Sequence, residues 1–150
     1  MDLILWRHAE AEPGEPDLGR RLTAKGLKQA DRVAAWLDQH LPDGTRVLAS
    51  PADRAQQTAL ALKRKFKTVE EIAPGASVAS VLGAAGWPDA REPVLIVGHQ
   101  PTLGAVAAFL LSGEEAYWSV KKGGVWWLTN RDRGGASAIV LRVVIGPDFV

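Results

Sequence analysis

The sequence predicts an α/β domain: a three-layer sandwich with a central, mostly parallel sheet, helices on both faces and an antiparallel C-terminal strand pair. Three observations predict it. Short apolar runs alternate with amphipathic stretches at helical spacing through the first two-thirds of the chain. The run from Val94 to Val97 is wholly apolar, as suits a central parallel strand covered on both faces. The segments Val125 to Leu128 and Ala138 to Ile145 are rich in β-branched and aromatic residues. They flank a polar stretch, Asn130 to Gly135, that ends in two glycines, which is a hairpin pattern.

The elements follow in order. Asp2 to Trp6 is a short apolar run bounded by charge and reads as a buried strand. The segment from Ala9 to Arg21 carries four carboxylates, two prolines and two glycines, and reads as a loop. Thr23 then suits an N-cap. Leu27, Ala30, Ala34, Leu37 and Leu41 follow at spacings of three and four and give an amphipathic helix its apolar stripe. His40 lies near its end, where a cation complements the helix dipole, and is read as structural. Arg46 to Ala49 is a second strand. Ser50-Pro51 reads as an N-cap with proline in the first turn, and Ala55, Ala59, Leu62 and Phe66 as the stripe of the helix behind it. Thr68 to Ile72 is a possible short strand, and Ser77 to Ala85 a weaker helix closed near Gly86. His99-Gln100-Pro101 repeats the strand, polar turn and proline device. Leu103 to Leu111 is apolar on most faces and predicts a buried helix. Trp126 and Trp127 should face opposite sides of their strand, and the six tryptophans read as packing.

Composition bounds the function. The chain has 150 residues, which predicts one domain over 1–150, large enough to hold a core without staples. It has no cysteine, so disulfides and thiolate metal sites are excluded, and a cytoplasmic setting is expected. Eighteen Lys plus Arg against 17 Asp plus Glu leave a net charge of +1. That balance argues against a nucleic-acid or membrane-surface partner. No targeting segment is evident, and Leu103 to Leu111 is too short to span a bilayer. A monomer is the default expectation.

The unusual side chains sit at three strand-to-helix junctions. The first strand ends in Arg7-His8, the second in Ser50-Pro51 with Arg54 one turn on, and the central one in Gly98-His99 before Pro101. Ligands of open α/β sheets bind outside the carboxyl ends of the strands. If the three strands are parallel neighbours, two histidines and two arginines meet at one edge beside two helix N-termini. Unpaired N–H groups and a positive dipole end suit an anion, and phosphate above all. The planar fork of arginine donates two parallel bonds to phosphate oxygens. Taken singly, each piece has a plainer reading: a capping pair, a helix cap, a core histidine, a solvated arginine. A histidine–carboxylate metal site is disfavoured, because arginines beside His8 and His99 would repel a cation and no clustered ligand spacing occurs.

Leu3 to Glu12, LILWRHAEAE, resembles the opening motif of the histidine phosphatase superfamily. Ser50-Pro51 with Arg54-Ala55 and Thr58 resembles its S-P-x-x-R-A-x-x-T element, and Val97-Gly98-His99 its second histidine motif. Asp17, Arg20, Leu22, Thr23 and Gly26 are similar to the D-x-x-R-x-L-T-x-x-G run of the small SixA-like branch, the phosphohistidine phosphatases. The resemblance covers most of the chain and implies a phosphoglycerate mutase-like fold. It implies that His8 is the nucleophile and becomes phosphorylated, and that Arg7, Arg54 and His99 form the phosphate pocket. Ser50 and Arg20 are added as substrate-binding candidates. His99 is expected to be protonated and, with the arginines, to stabilise the transferring group. Water would then release inorganic phosphate. No metal or other cofactor is called for, since the arginines take the role magnesium usually plays.

Two departures refine the expectation. Ala9 stands where the superfamily usually has glycine, as the SixA-like branch often does. Pro74 to Ala85 carries no acidic residue, so the glutamate motif of the mutases has no match. Either the leaving group needs little help or a carboxylate between Glu10 and Asp17 serves; otherwise those carboxylates form a solvated face. Imidazole can depart in neutral form, so a missing acid fits phosphohistidine better than a sugar phosphate. Every connection is short, which predicts a site open to a phosphohistidine carried by a protein such as a phosphotransfer domain. The alternatives are a phosphomonoesterase acting on a small metabolite and a non-catalytic phosphate-binding module. Lys121-Lys122 reads either as a solvated turn or as placing one lysine at the mouth of the pocket.

Overall fold

The computed structural model describes residues 1–133 and 136–150. The elements run β1 (Asp2–Arg7), α1 (Ala24–His40), β2 (Arg46–Ala49), α2 (Asp53–Leu60), β3 (Lys67–Thr68), α3 (Val78–Ala85), β4 (Val94–Gly98), α4 (Thr102–Ser112), β5 (Val125–Arg133) and β6 (Ala136–Ile145). Short 3-10 turns lie at Asp17–Gly19, Glu70–Ile72 and Pro147–Phe149. The six strands form one sheet in the order β3-β2-β4-β1-β5-β6. β3, β2, β4 and β1 are parallel neighbours, while β5 and β6 are antiparallel, as expected.

Period-two alternation builds the layers. Ile4 and Trp6 of β1 face one side with Val33 and Leu37 of α1 and Ala55 and Ala59 of α2. Leu3 and Leu5 face the other with Val81 of α3 and Leu103 and Val106 of α4. Both faces of β4 are covered, so its wholly apolar sequence is the one such a position requires. Trp127 joins the first face and Trp126 the second, as strand alternation predicts.

Register decides what the strands deliver. Arg7 lies opposite Gly98, and Ala49 opposite Val97. The next residues continue the ladder: His8 N–H donates to Gly98 O at 3.0 Å and Ser50 N–H to Val97 O at 3.1 Å. His8, Ser50 and His99 therefore leave one sheet edge side by side.

Several elements differ from the sequence reading. The buried arc of α1 is centred on Gly26, Ala30, Val33 and Leu37, so Leu27 falls at its rim and is 45% exposed. Gly26 is required by a close approach: a Cβ there would collide with the Glu10 carbonyl. α2 begins at Asp53 with Ala52 as N-cap, so Ser50-Pro51 is not its cap. Its last residue is Leu60, and Leu62 and Phe66 pack from the segment beyond it. Only the start of Thr68 to Ile72 is strand: β3 is Lys67–Thr68, Val69 N–H still donates to Ala49 O at 3.0 Å, and a 3-10 turn follows from Glu70. Pro101 is the N-cap of α4 rather than its first residue, and the last turn emerges at half-exposed Phe109. β5 continues to Arg133 and β6 starts at Ala136, so most of the stretch expected to turn is strand. Its two glycines, Gly134 and Gly135, lie outside the described residues. Thr23 and Ser77 are N-caps as expected, and Gly86 closes α3 in the left-handed region.

Candidate active site

The site forms at the carboxyl ends of β1, β2 and β4. His8 and His99 are buried, their ring centroids 5.1 Å apart and tilted at 55°. Arg54, from the first turn of α2, is buried against them, and Arg7 is half-buried.

Hydrogen bonding assigns the ring atoms. His8 Nδ1 lies 2.8 Å from Ala9 O. A carbonyl only accepts, so Nδ1 carries the proton and Nε2 keeps its lone pair. His99 Nε2 lies 2.7 Å from Ser50 Oγ, which accepts from Ala52 N–H at 3.2 Å. A serine hydroxyl can donate as well as accept; in the tautomer where it donates to Nε2, the proton of His99 sits on Nδ1. That Nδ1 is buried without a partner, as are Arg7 Nε and Arg54 Nε. Buried donors are nearly always satisfied in folded proteins, so three at one edge mark a place prepared for an acceptor.

Electrostatics corrects one expectation. Burial, above all, lowers His8 to about 4; the Ala9 hydrogen bond opposes this, and the charges of Arg54, Arg7 and Arg20 add to it. Burial again leads for His99, which falls to about 3 with help from His8, Arg54 and Arg7 and against a raising effect of Asp17. Both rings are therefore neutral at pH 7 in this pocket. His99 is not the cation expected; it can still donate through Nδ1.

The loop over residues 9–21 is tied down on both sides. Ala9 N–H donates to Thr58 Oγ1 at 3.1 Å, and Thr58 Oγ1 donates to Arg54 O at 2.8 Å. Glu10 N–H reaches Gln29 Oε1, Thr23 Oγ1 donates to Glu10 Oε2, and Leu22 N–H reaches Gln57 Oε1. The loop thus brings Asp17 to the pocket. Arg54 donates one terminal nitrogen to Asp17 O at 2.7 Å and the other to Asp17 Oδ2 at 3.2 Å. Arg20 Nε donates to Asp17 Oδ1 at 3.1 Å. Partial burial pushes the Asp17 carboxyl up, but the hydrogen bonds and charges of Arg54 and Arg20 outweigh it and hold it below the usual range. It is ionised at neutral pH and has no proton to give a leaving group.

The arrangement brings His8, His99, Arg7, Arg54 and Ser50 together, with Arg20 one shell out through Asp17. Ser50 meets His99 rather than open space. Asp17 was absent from the expected pocket residues although it stands in the D-x-x-R spacing; its distance of 37 positions from Arg54 leaves no local pattern to link the two. Thr58, Gln29 and Gln57 are ordinary polar helix residues in sequence, and only the packed loop reveals their role. Lys121 and Lys122 are exposed on the turn beside Arg7. His40 accords with a structural role, stacked on Trp36 with its Nδ1 2.7 Å from Trp36 O. Among the described residues no group of three or more His, Cys, Asp or Glu is placed to hold a metal, and no helix is long and apolar enough to cross a membrane.

Comparison with known proteins decides the family. The sequence model of the Histidine phosphatase superfamily (branch 1) matches residues 3–75. The SixA phosphohistidine phosphatase homologue of Haemophilus influenzae is 36% identical over an alignment of 126 positions that covers 73% of this chain and 77% of that protein. This chain belongs to the histidine phosphatase superfamily. The phosphohistidine phosphatase SixA of Escherichia coli K12 is 30% identical over an alignment of 123 positions that covers 76% of each chain. In fold, the structure of the protein histidine phosphatase SixA complexed with tungstate superposes with a TM-score of 0.78 at 24% identity, covering 99% of this chain and 98% of that one. An Entamoeba histolytica phosphoserine phosphatase superposes at 0.69 and 18% identity, covering 95% of each. The superfamily member is thus a phosphatase with the SixA and phosphoglycerate mutase-like architecture.

Proposed function

We propose that this phosphatase removes phosphoryl groups from phosphohistidine in a protein through a covalent phospho-His8 intermediate. The observation that carries the reading is the convergence at one sheet edge of the His8 Nε2 lone pair with free donors on Arg7, Arg54 and His99. The SixA relatives of H. influenzae and E. coli support the choice of substrate.

His8 Nε2 attacks phosphorus in line, and the Ala9 carbonyl fixes the attacking tautomer. The Nε2–P bond forms as the P–N bond to the substrate imidazole breaks. A substrate ring already protonated on its other nitrogen leaves neutral, so the ionised Asp17 is not needed as an acid. Arg7, Arg54 and the Nδ1–H of His99 meet the equatorial oxygens, where charge is carried through the transition state. Ser50 acts behind His99 as a positioning residue. Water then attacks phospho-His8, Nε2 recovers its electron pair, and inorganic phosphate leaves.

The test is substrate profiling. A phosphotransfer domain carrying phosphohistidine should be hydrolysed with kcat/KM at least roughly 100-fold above any member of a sugar-phosphate panel, about 2.7 kcal/mol of discrimination. The reverse preference would establish the metabolite phosphomonoesterase instead, and phosphate binding without turnover a non-catalytic module.

The histidine environment predicts a pH profile. A nucleophile lowered to about 4 stays neutral well below the ordinary histidine range. The acid limb of kcat/KM for a substrate that does not titrate should therefore lie near pH 4, not near 6.5. Stability has the same sign. Between about 6.5 and 4 the unfolded chain binds the His8 proton and the folded chain does not, so folding stability falls as pH drops through that window. Acid unfolding of wild type set against His8→Asn should show the difference shrinking as pH falls.

A further inference from the structure

A cavity of about 710 Å³ opens beside Arg7 and the turn that carries Lys121 and Lys122. It is far larger than one phosphoryl group. Lys121, Lys122 and Arg7 supply its cations, against the single carboxylate of Asp148. Val144, Ile145, Pro147 and Phe149 supply an apolar floor, on which Val144 is 53% and Phe149 82% exposed. Gln29 of α1 forms another wall, and Lys25 and Arg32, both exposed, lie one turn to either side of it on the same helix face, Arg32 also donating one terminal nitrogen to Val150 O at 3.0 Å.

This surface is fastened to the catalytic strand. Gly123 N–H donates to His8 O at 3.1 Å, and Arg7 N–H donates to Gly124 O at 3.0 Å. The Arg7 guanidinium donates to Val120 O at 2.8 Å, and Trp6 Nε1–H to Gly123 O at 3.1 Å. Gly123 has φ +71°, and a Cβ there would press on Pro147 at 3.0 Å. The two lysines are thus held at a set distance from the nucleophile, and Arg7 belongs to both the phosphate pocket and the groove.

Resting on the phosphohistidine-protein reading, we propose that this groove docks the protein substrate, by an acidic surface with an exposed apolar side chain next to its phosphohistidine. The occupant follows from charge complementarity and from continuity with the phosphate pocket through Arg7. Acidic side chains meet Lys121, Lys122 and the basic row of α1, while the apolar one settles against Val144 and Phe149. Such a contact speeds encounter and fixes orientation, which a free phosphorylated imidazole does not need.

The experiment compares a phosphotransfer domain carrying phosphohistidine with phosphoimidazole. For Lys121→Glu/Lys122→Glu, kcat/KM on the phosphoprotein should fall at least tenfold, mainly through KM, with phosphoimidazole hydrolysis within twofold of wild type. Phe149→Ser should give a smaller loss of the same kind. Raising salt from ~50 to ~300 mM should lower wild-type kcat/KM on the phosphoprotein and leave that of the double variant nearly flat. Lys121→Ala/Lys122→Ala covers the case in which the glutamates impair folding, and should fall between. Wild-type turnover of both substrates, with variants unaffected or equally slow on both, overturns the groove alone. Wild-type turnover of phosphoimidazole but not of the phosphoprotein overturns the protein-substrate reading and the groove with it.

Discussion

His8→Ala is expected to abolish turnover and, with it, the acid-labile, base-stable phosphoenzyme formed by wild type. The loss should be roughly 10⁴–10⁶-fold in kcat, the scale seen when a covalent nucleophile is removed and only binding and charge stabilisation remain. The physical case rests on one hydrogen bond. Ala9 O holds the proton on Nδ1 at 2.8 Å, and burial keeps the ring neutral, so Nε2 is nucleophilic at neutral pH without a general base. Alanine leaves Arg7, Arg54 and His99 in place, so phosphate or a phosphorylated substrate should still bind. Rapid-quench labelling of wild type and variant, with phosphate affinity measured alongside, separates the outcomes. A variant that still acquires a covalent phosphoryl group would remove His8 from the nucleophile's role.

The same site shows which features the sequence carries and which it cannot. Strand identity and order of junctions were legible because apolar runs of β1, β2 and β4 each end in a polar or charged residue, and parallel pairing in register brings those ends together. Helix α1 was legible from its stripe, yet Leu27 was misplaced, since a stripe of spacings three and four does not reveal where the buried arc is centred. Ser50 illustrates a different limit. A serine before proline has the local chemistry of a cap, and only the tertiary approach of His99 shows that its hydroxyl is engaged elsewhere. The charge of His99 is hidden for a related reason: arginines visible in sequence suggest an anion site, whereas the burial that keeps the imidazole neutral arises from packing. Asp17 reads as one of several loop carboxylates because nothing local ties a mid-loop aspartate to an arginine on another element.

Arg54→Ala should lower kcat/KM by about 10²–10³-fold, the usual scale for removing one preorganised donor from a transition state. The structure adds a second component to that loss. Arg54 spends both terminal nitrogens on Asp17, one on the carbonyl and one on the carboxylate, and keeps Nε unpaired in the pocket. Deleting it removes the donor and also the main partner of an ionised carboxylate, which then repels an arriving phosphoryl group. Arg54→Ala/Asp17→Asn should therefore recover part of the activity lost by Arg54→Ala alone, while Asp17→Asn in wild type should lower activity by loosening Arg54. Arg54→Lys should rescue little, because one ammonium cannot hold Asp17 with two bonds and still offer a third donor to phosphate. Asp17 is 54% exposed, so its own share of the pair contributes little to stability, and the unfolding midpoint of Asp17→Asn should stay close to wild type. A double variant no better than Arg54→Ala would show that Asp17 acts only as scaffold; full activity in Arg54→Ala would remove this arginine from the phosphate pocket.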